Sequence, residues 1–197
     1  MTRQKIDDQR KQQIRAAATR CFVRRGYSST RLLDIARDAG LSKGGVYFHY
    51  KAKESLFHDI LDAQLLALQE RWAADVPPDL PADRALAQVA ANHLRLFVEH
   101  GDEAKLCNLL VTMSGQIQEY REKLEKTFAE MRSAYAEIVR RGVEQGVLAG
   151  DPQVVARGII AVIYGLAAQA SVDPQGRIPL TVEQAVEQIM RLAGSRA

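Results

Sequence analysis

The stretch from Ser29 to Glu54, STRLLDIARDAGLSKGGVYFHYKAKE, restricts the fold of this 197-residue chain more than any other. Leu32, Ile35, Ala36 and Ala39 recur at helical spacing and make one apolar face. Gly40 follows where that helix must stop, because glycine enters the left-handed C′ conformation without a Cβ penalty. Leu41 fills the turn, and Ser42 offers its hydroxyl as N-cap to a second short helix. There Val46 and Tyr50 lie four apart and point inward, leaving Ser42, Lys43, Tyr47 and His49 on other faces. The pattern predicts a helix-turn-helix whose second helix has the size and chemistry to enter a DNA major groove.

The residues of that second helix suit close approach to a polyanion. Gly44 and Gly45 carry no side chains, so backbone can come near a phosphate or a base edge. They cost helix propensity, roughly 1 kcal/mol each against alanine. Tyr47 can donate its hydroxyl to a phosphate, and Lys43 and Lys53 can each neutralise one.

The run Gly26-Tyr27, Thr30, Asp34-Ile35-Ala36, Ala39 to Gly44, Val46-Tyr47, His49-Tyr50 and Lys53 to Leu56 resembles the amino-terminal domain of the TetR family of transcriptional regulators. The resemblance covers the first 60 residues, and the remainder agrees only in length and helical character. It implies an all-α homodimer that represses transcription and releases operator DNA when a small molecule binds. It also implies DNA contacts from Thr30, Ser42, Lys43, Gly44, Gly45, Tyr47 and His49, with Lys53 holding a phosphate. Arg31 and Leu33 depart from the family's usual small and polar residues, and Arg31 adds a candidate phosphate contact. Ala52 stands where a capping side chain is usual, a loss of about 1 kcal/mol.

Charge agrees with a polyanion bound at one end. Residues 1–60 hold 13 Lys and Arg against 6 Asp and Glu, while the rest hold 14 against 18. A basic amino-terminal part therefore precedes an acidic body. A hydrophobic content of 47% excludes a disordered chain, and two cysteines make no disulfide framework. The chain starts polar, without a secretory signal, and the apolar run from Gly158 to Ala168 falls short of the roughly 20 residues of a bilayer span. A cytoplasmic protein without membrane contact is expected.

In chain order, Thr2 to Lys5 is a short basic tail. A first helix is expected from Asp7 or Asp8 to Gly26, burying Ile14, Ala18, Cys21 and Phe22. After the helix-turn-helix, a long helix should run from Lys53 to about Asp75, with Phe57, Leu61, Leu65, Leu68 and Trp72 inward. It would span roughly 34 Å and act as a lever between a DNA-binding domain, residues 1–52, and an effector-binding and dimerisation domain, residues 53–197. Pro77, Pro78 and Pro81 end it.

Further helices are expected over Ala82–His100, from Asp102 onward, over Ile117–Glu144, over Asp151–Ser171 and at the carboxyl end. Glu119 with Lys123, Glu122 with Lys126, and Glu137 with Arg141 are spaced as surface ion pairs. The helix from Asp151 is apolar on almost every side, which points to burial against a second copy. Val155, Ile159, Val162, Ile163 and Leu166, joined by Val186, Ile189 and Met190 of the last helix, form the expected dimer interface.

An effector pocket follows from the family resemblance. Trp72, His93, Phe97, Met113, Tyr120 and Tyr164 interrupt inward faces and are its candidate lining, suited to a mostly apolar ligand. No catalytic motif or cofactor site is visible, although His93, His100 and Cys107 allow a metal-sensing alternative. Two other classes compete with the regulator: a helical protein-interaction adaptor and a small-molecule enzyme. The adaptor leaves the basic helix-turn-helix idle, and the enzyme lacks a catalytic constellation.

Overall fold

The computed structural model describes residues 3–72, 76–99, 101–173, 175, 177 and 179–195. The side chains of 3–4, 68–69, 71–72, 98–99 and 101–103 fall outside that description. Among the described residues the secondary structure is α-helical, without strands. The chain forms two compact units, Met1–Leu66 and Ala67–Ala197.

The first unit holds α1 (Arg3–Arg25), α2 (Leu32–Asp38), α3 (Lys43–His49) and most of α4 (Lys53–Trp72). The first helix begins ahead of the expected Asp7, so those carboxylates lie inside it. Its stripe of Ile14, Ala17, Ala18, Cys21 and Phe22 is buried. Leu56, Phe57, Ile60 and Leu61 of α4 complete the same core. The Phe57 ring meets Tyr27 at 4.9 Å and Phe22 at 5.6 Å between centroids. Fully burying side chains of this size stabilises by roughly 1.5–3 kcal/mol each. That is why this unit runs on to Leu66 rather than closing at the expected residue 52: the start of α4 is part of its core.

Gly40 sets the turn between α2 and α3, with a φ of 64°. The Leu41 N–H donates to the Ala36 carbonyl at 2.9 Å and the Gly40 N–H to Arg37 at 3.1 Å, the paired bonds of a Schellman stop. Ser42 then caps α3, its Oγ accepting from the Gly45 N–H at 3.0 Å.

The second unit holds α5 (Ala82–Glu99), α6 (Gly101–Ser114), α7 (Gln118–Glu144), α8 (Pro152–Val172) and α9 (Val182–Leu192). Gly101, expected to end a helix, opens α6, and the side chain of Asp102 is outside the described residues. One core joins Leu86, Leu94, Tyr135, Val139, Ile159, Ile163 and Ile189. Asp151 caps α8 by accepting from Gln153 and Val154 N–H, both at 2.9 Å, and Pro152 follows at N1. Thr181 and Gln184 form a reciprocal capping box at the start of α9.

Of the expected ion pairs on α7, Glu119 with Lys123 forms at 3.7 Å. Lys126 instead reaches Glu130, and Glu137 pairs with Arg140. Arg141 is drawn away because its guanidinium donates to the Pro78 and Leu80 carbonyls, both at 3.2 Å. Carbonyls of a proline-rich turn lack helical partners, so they compete well for a fork of donors.

The expected interface on α8 needs correction. Val155, Ile159, Ile163, Leu166 and Ile189 are buried within this chain itself, and Val162, Val186 and Met190 are partly so. The opposite side of α8 carries the exposed residues Val154, Ala161, Gly165, Ala168 and Val172, with Gly158 half-buried on the same stripe. In the middle of the helix the two sides differ in size: Ile159, Ile163 and Leu166 face the core, while Gly158, Ala161, Gly165 and Ala168 lie on the outward stripe, which Val154 and Val172 flank at its two ends. By length and composition α8 is also long and apolar enough to cross a bilayer, contrary to the reading from its shorter apolar run.

Candidate nucleic-acid interface

On α3 the residues expected to meet DNA separate into exposed and occupied groups. Val46 is buried and anchors the helix. Ser42, Lys43 and Gly44 are exposed, Gly45 is half-buried, and Tyr47 is 37% exposed. The Lys43 ammonium lies 5.4 Å from the centre of the Tyr47 ring. Arg31, ahead of α2, is exposed, and its N–H donates to Asp34 at 3.0 Å. With Ser42 Oγ accepting from Gly45, the Ser42 O–H is left to donate. These groups can donate hydrogen bonds and offer positive charge, the chemistry of phosphate contact.

Three expected contacts prove to be engaged elsewhere. Thr30 is 1% exposed, and its hydroxyl donates to the Gly26 carbonyl at 2.8 Å, with the Cys21 carbonyl at 3.2 Å. It ties α1 to the loop before α2 and presents no side chain to a ligand. The His49 side chain is 10% exposed, with Nδ1 3.3 Å from Asp7 of α1. Lys53 donates to the Tyr27 carbonyl at 2.7 Å and lies 4.2 Å from the centre of the Tyr27 ring. Its ammonium closes the end of the α1–α2 loop, and a phosphate would be a further partner.

Two residues were missed. Phe48 is 70% exposed, and Lys51 is exposed with its ammonium on the Tyr47 carbonyl at 2.8 Å. For Phe48 the signal was positional, four residues after Gly44 on the same face of α3; Lys51 lies beyond the helix end, where Tyr50 is extended, and helical spacing does not place it.

Behind this surface, polar groups brace the helices. The Tyr50 hydroxyl donates to Asp59, which also pairs with Arg15 at 3.2 Å. Burial, and then that hydrogen bond, hold the Tyr50 hydroxyl well above its usual range. Asp38 receives Arg20 and Arg24. Burial pushes its carboxyl up, yet the two arginines outweigh it and leave the carboxyl below the ordinary range.

The candidate effector residues in the second unit divide similarly. His93, Phe97 and Tyr164 come together, with ring centroids 5.7 to 5.9 Å apart. Phe128 and Tyr135 join them, Phe128 at 4.9 Å from Tyr164 and Tyr135 hydrogen-bonded to His93 Nδ1 at 3.3 Å. Burial lowers the His93 pKa to about 4 and pushes the Cys107 thiol up to about 12. Met113 and Tyr120 are buried but lie apart from this core, and the Trp72 side chain is outside the described residues. A groove of about 440 Å³ between α5 and α9 is lined by Arg84, Gln88, Arg95, Glu183, Val186 and Glu187 among others, and none of the six expected pocket residues borders it. Among the described residues no three metal-ligating side chains converge; His100 is not among them.

A capped reading helix with an exposed basic and aromatic face, set on a three-helix support, defines a helix-turn-helix DNA-binding protein. Residues 14–60 match the family profile described as bacterial regulatory proteins, tetR family, and residues 81–195 match BetI-type transcriptional repressor, C-terminal. The chain belongs to the TetR family of transcriptional regulators and is a DNA-binding regulator of that kind. It is 24% identical over 139 residues to the fatty acid metabolism regulator protein of Bacillus subtilis, covering 71% of this chain and 69% of that one. It is 37% identical to the regulator QacR of Staphylococcus aureus over 62 residues, 32% of this chain and 33% of that one. In fold it is similar to a transcriptional regulator from Saccharomonospora viridis in complex with choline, with a TM-score of 0.79, 22% identity and coverage of 92% and 94%.

Proposed function

We propose that this chain is a homodimeric repressor that holds a palindromic operator and releases it when a small, mostly apolar effector binds the second unit. The observation that carries the reading is the outer face of α3, where Lys43, Gly44 and Tyr47 stand exposed beside Lys51 on a helix fixed by the Ser42 cap. Arg31, Ser42, Lys43, Gly44, Gly45 and Tyr47 are the DNA contacts, and Lys53 adds a phosphate to its loop-closing role. The first unit supplies DNA binding and the second supplies effector binding and dimerisation, in a cytoplasmic protein without a catalytic role.

Two subunits present two reading helices, and successive major grooves on one side of DNA lie roughly 34 Å apart. An effector that binds better to a dimer with another spacing shifts the population away from DNA, and a hundredfold difference in affinity corresponds to about 2.7 kcal/mol. The aromatic core around His93, Phe97 and Tyr164 supports an apolar effector with one or two hydrogen-bonding groups. The small-residue side of α8 supports pairing with a second copy.

The test is a salt titration of binding to duplexes selected from a randomised library. Phosphate contacts require log affinity to fall linearly with log salt. An affinity independent of salt would remove the reading and favour the adaptor.

A further inference from the structure

Phe48 is an unexplained feature of α3. A ring that is 70% exposed sits on a surface otherwise made of lysines, glycine and a tyrosine hydroxyl. Its described aromatic contact is edge-on to the neighbouring His49 at 5.1 Å, which leaves most of its area open. Gly44, one turn earlier on the same face, has no side chain to cover it. A Cβ built there would meet only Ser42 Oγ, at 3.9 Å. The ring therefore borders bare helix surface on the side that Lys43 and Lys51 make basic.

An apolar ring carries no hydrogen-bonding atom and cannot read the donors and acceptors of base edges. The major groove offers one apolar feature that differs between base pairs, the 5-methyl group of thymine. We propose that Phe48 packs against a thymine methyl in each half-site and sets base preference there. The proposal rests on reading α3 as the DNA-contacting helix. Lys43, Lys51 and Tyr47 then supply sequence-independent attraction, while Phe48 selects sequence through shape and burial.

The test begins with selection from a randomised double-stranded library by the full-length protein, and the tightest duplex becomes the probe. Each thymine is then replaced in turn by deoxyuridine, which deletes the methyl group and nothing else. The expected result is one position per half-site where wild type loses about fourfold in affinity, the effect of burying one methyl-sized group. At that position Phe48→Ala should lose nothing beyond its own deficit, and Phe48→Leu should retain part of the sensitivity. If no deoxyuridine weakens wild type, the ring meets sugar or phosphate and the proposal is overturned, whether or not any variant folds. It is equally overturned if Phe48→Ala is as sensitive as wild type at every position. Failure to enrich any duplex would sink the DNA-contact reading itself, an outcome distinct from both.

Discussion

The Nδ1 atom of His49, the last residue of α3, lies 3.3 Å from a carboxylate oxygen of Asp7 on α1. The reading helix is therefore held from behind by a residue far away in sequence. If His49 acts by fixing α3, Asp7→Ala and His49→Ala should each weaken binding to the selected duplex by about threefold to fivefold. The double variant should be no worse than either single one, because both remove the same contact. Loss of affinity in His49→Ala alone, with Asp7→Ala unchanged, would return His49 to the DNA surface.

Lys53 closes the loop at Tyr27 and Ser28 through its ammonium. Replacing it with alanine should lower the thermal stability of the protein, by roughly 1.5 kcal/mol for a charged donor lost from a carbonyl. Lys53→Ala that melts with wild type but binds DNA poorly would confine the residue to phosphate.

On α8, Ala161→Glu and Ile159→Glu should have opposite outcomes. Ala161 is exposed on the small-residue side, so a charge there should split the dimer and leave each subunit helical. Ile159 is buried among its own helices, so the same charge should unfold the subunit. Sedimentation and circular dichroism separate the two. A dimer that survives Ala161→Glu would move the interface elsewhere.

His93 makes stability depend on pH. Burial depresses its folded pKa to about 4 from 6.5, so the unfolded chain gains a proton in that window that the folded chain refuses. Stability should be full above the upper value and fall as pH drops through the window. The contribution is on the order of 3 kcal/mol. Denaturant titrations should show a shallower acid decline for His93→Gln, and parallel curves would count against this origin.

What could be read from sequence was local. Gly40 and Ser42 act on backbone groups within a few residues, so the turn, the cap and the helices around them followed from spacing alone. Thr30, His49 and Lys53 find their partners at Gly26 and Cys21, Asp7, and Tyr27. The family resemblance placed them among the DNA contacts but carried no information about which groups would claim them. The inner and outer sides of α8 both scored as apolar, and only side-chain size separates Ile159, Ile163 and Leu166 from Gly158, Ala161 and Gly165. The aromatic core was half legible: His93, Phe97 and Tyr164 stood out as interruptions, while nothing in the spacing of Phe128 and Tyr135 on α7 marks them as their partners.

Because the inward residues of α8, Ile159, Ile163 and Leu166 among them, pack within their own subunit and the outward stripe is separate, the two sets of positions share no residue. If that outward stripe is the pairing surface proposed above, sister proteins arising by gene duplication could stop exchanging subunits through changes at Ala161 or Ala168, with no repair required in either interior. Self-recognition can diverge along that stripe at its own pace.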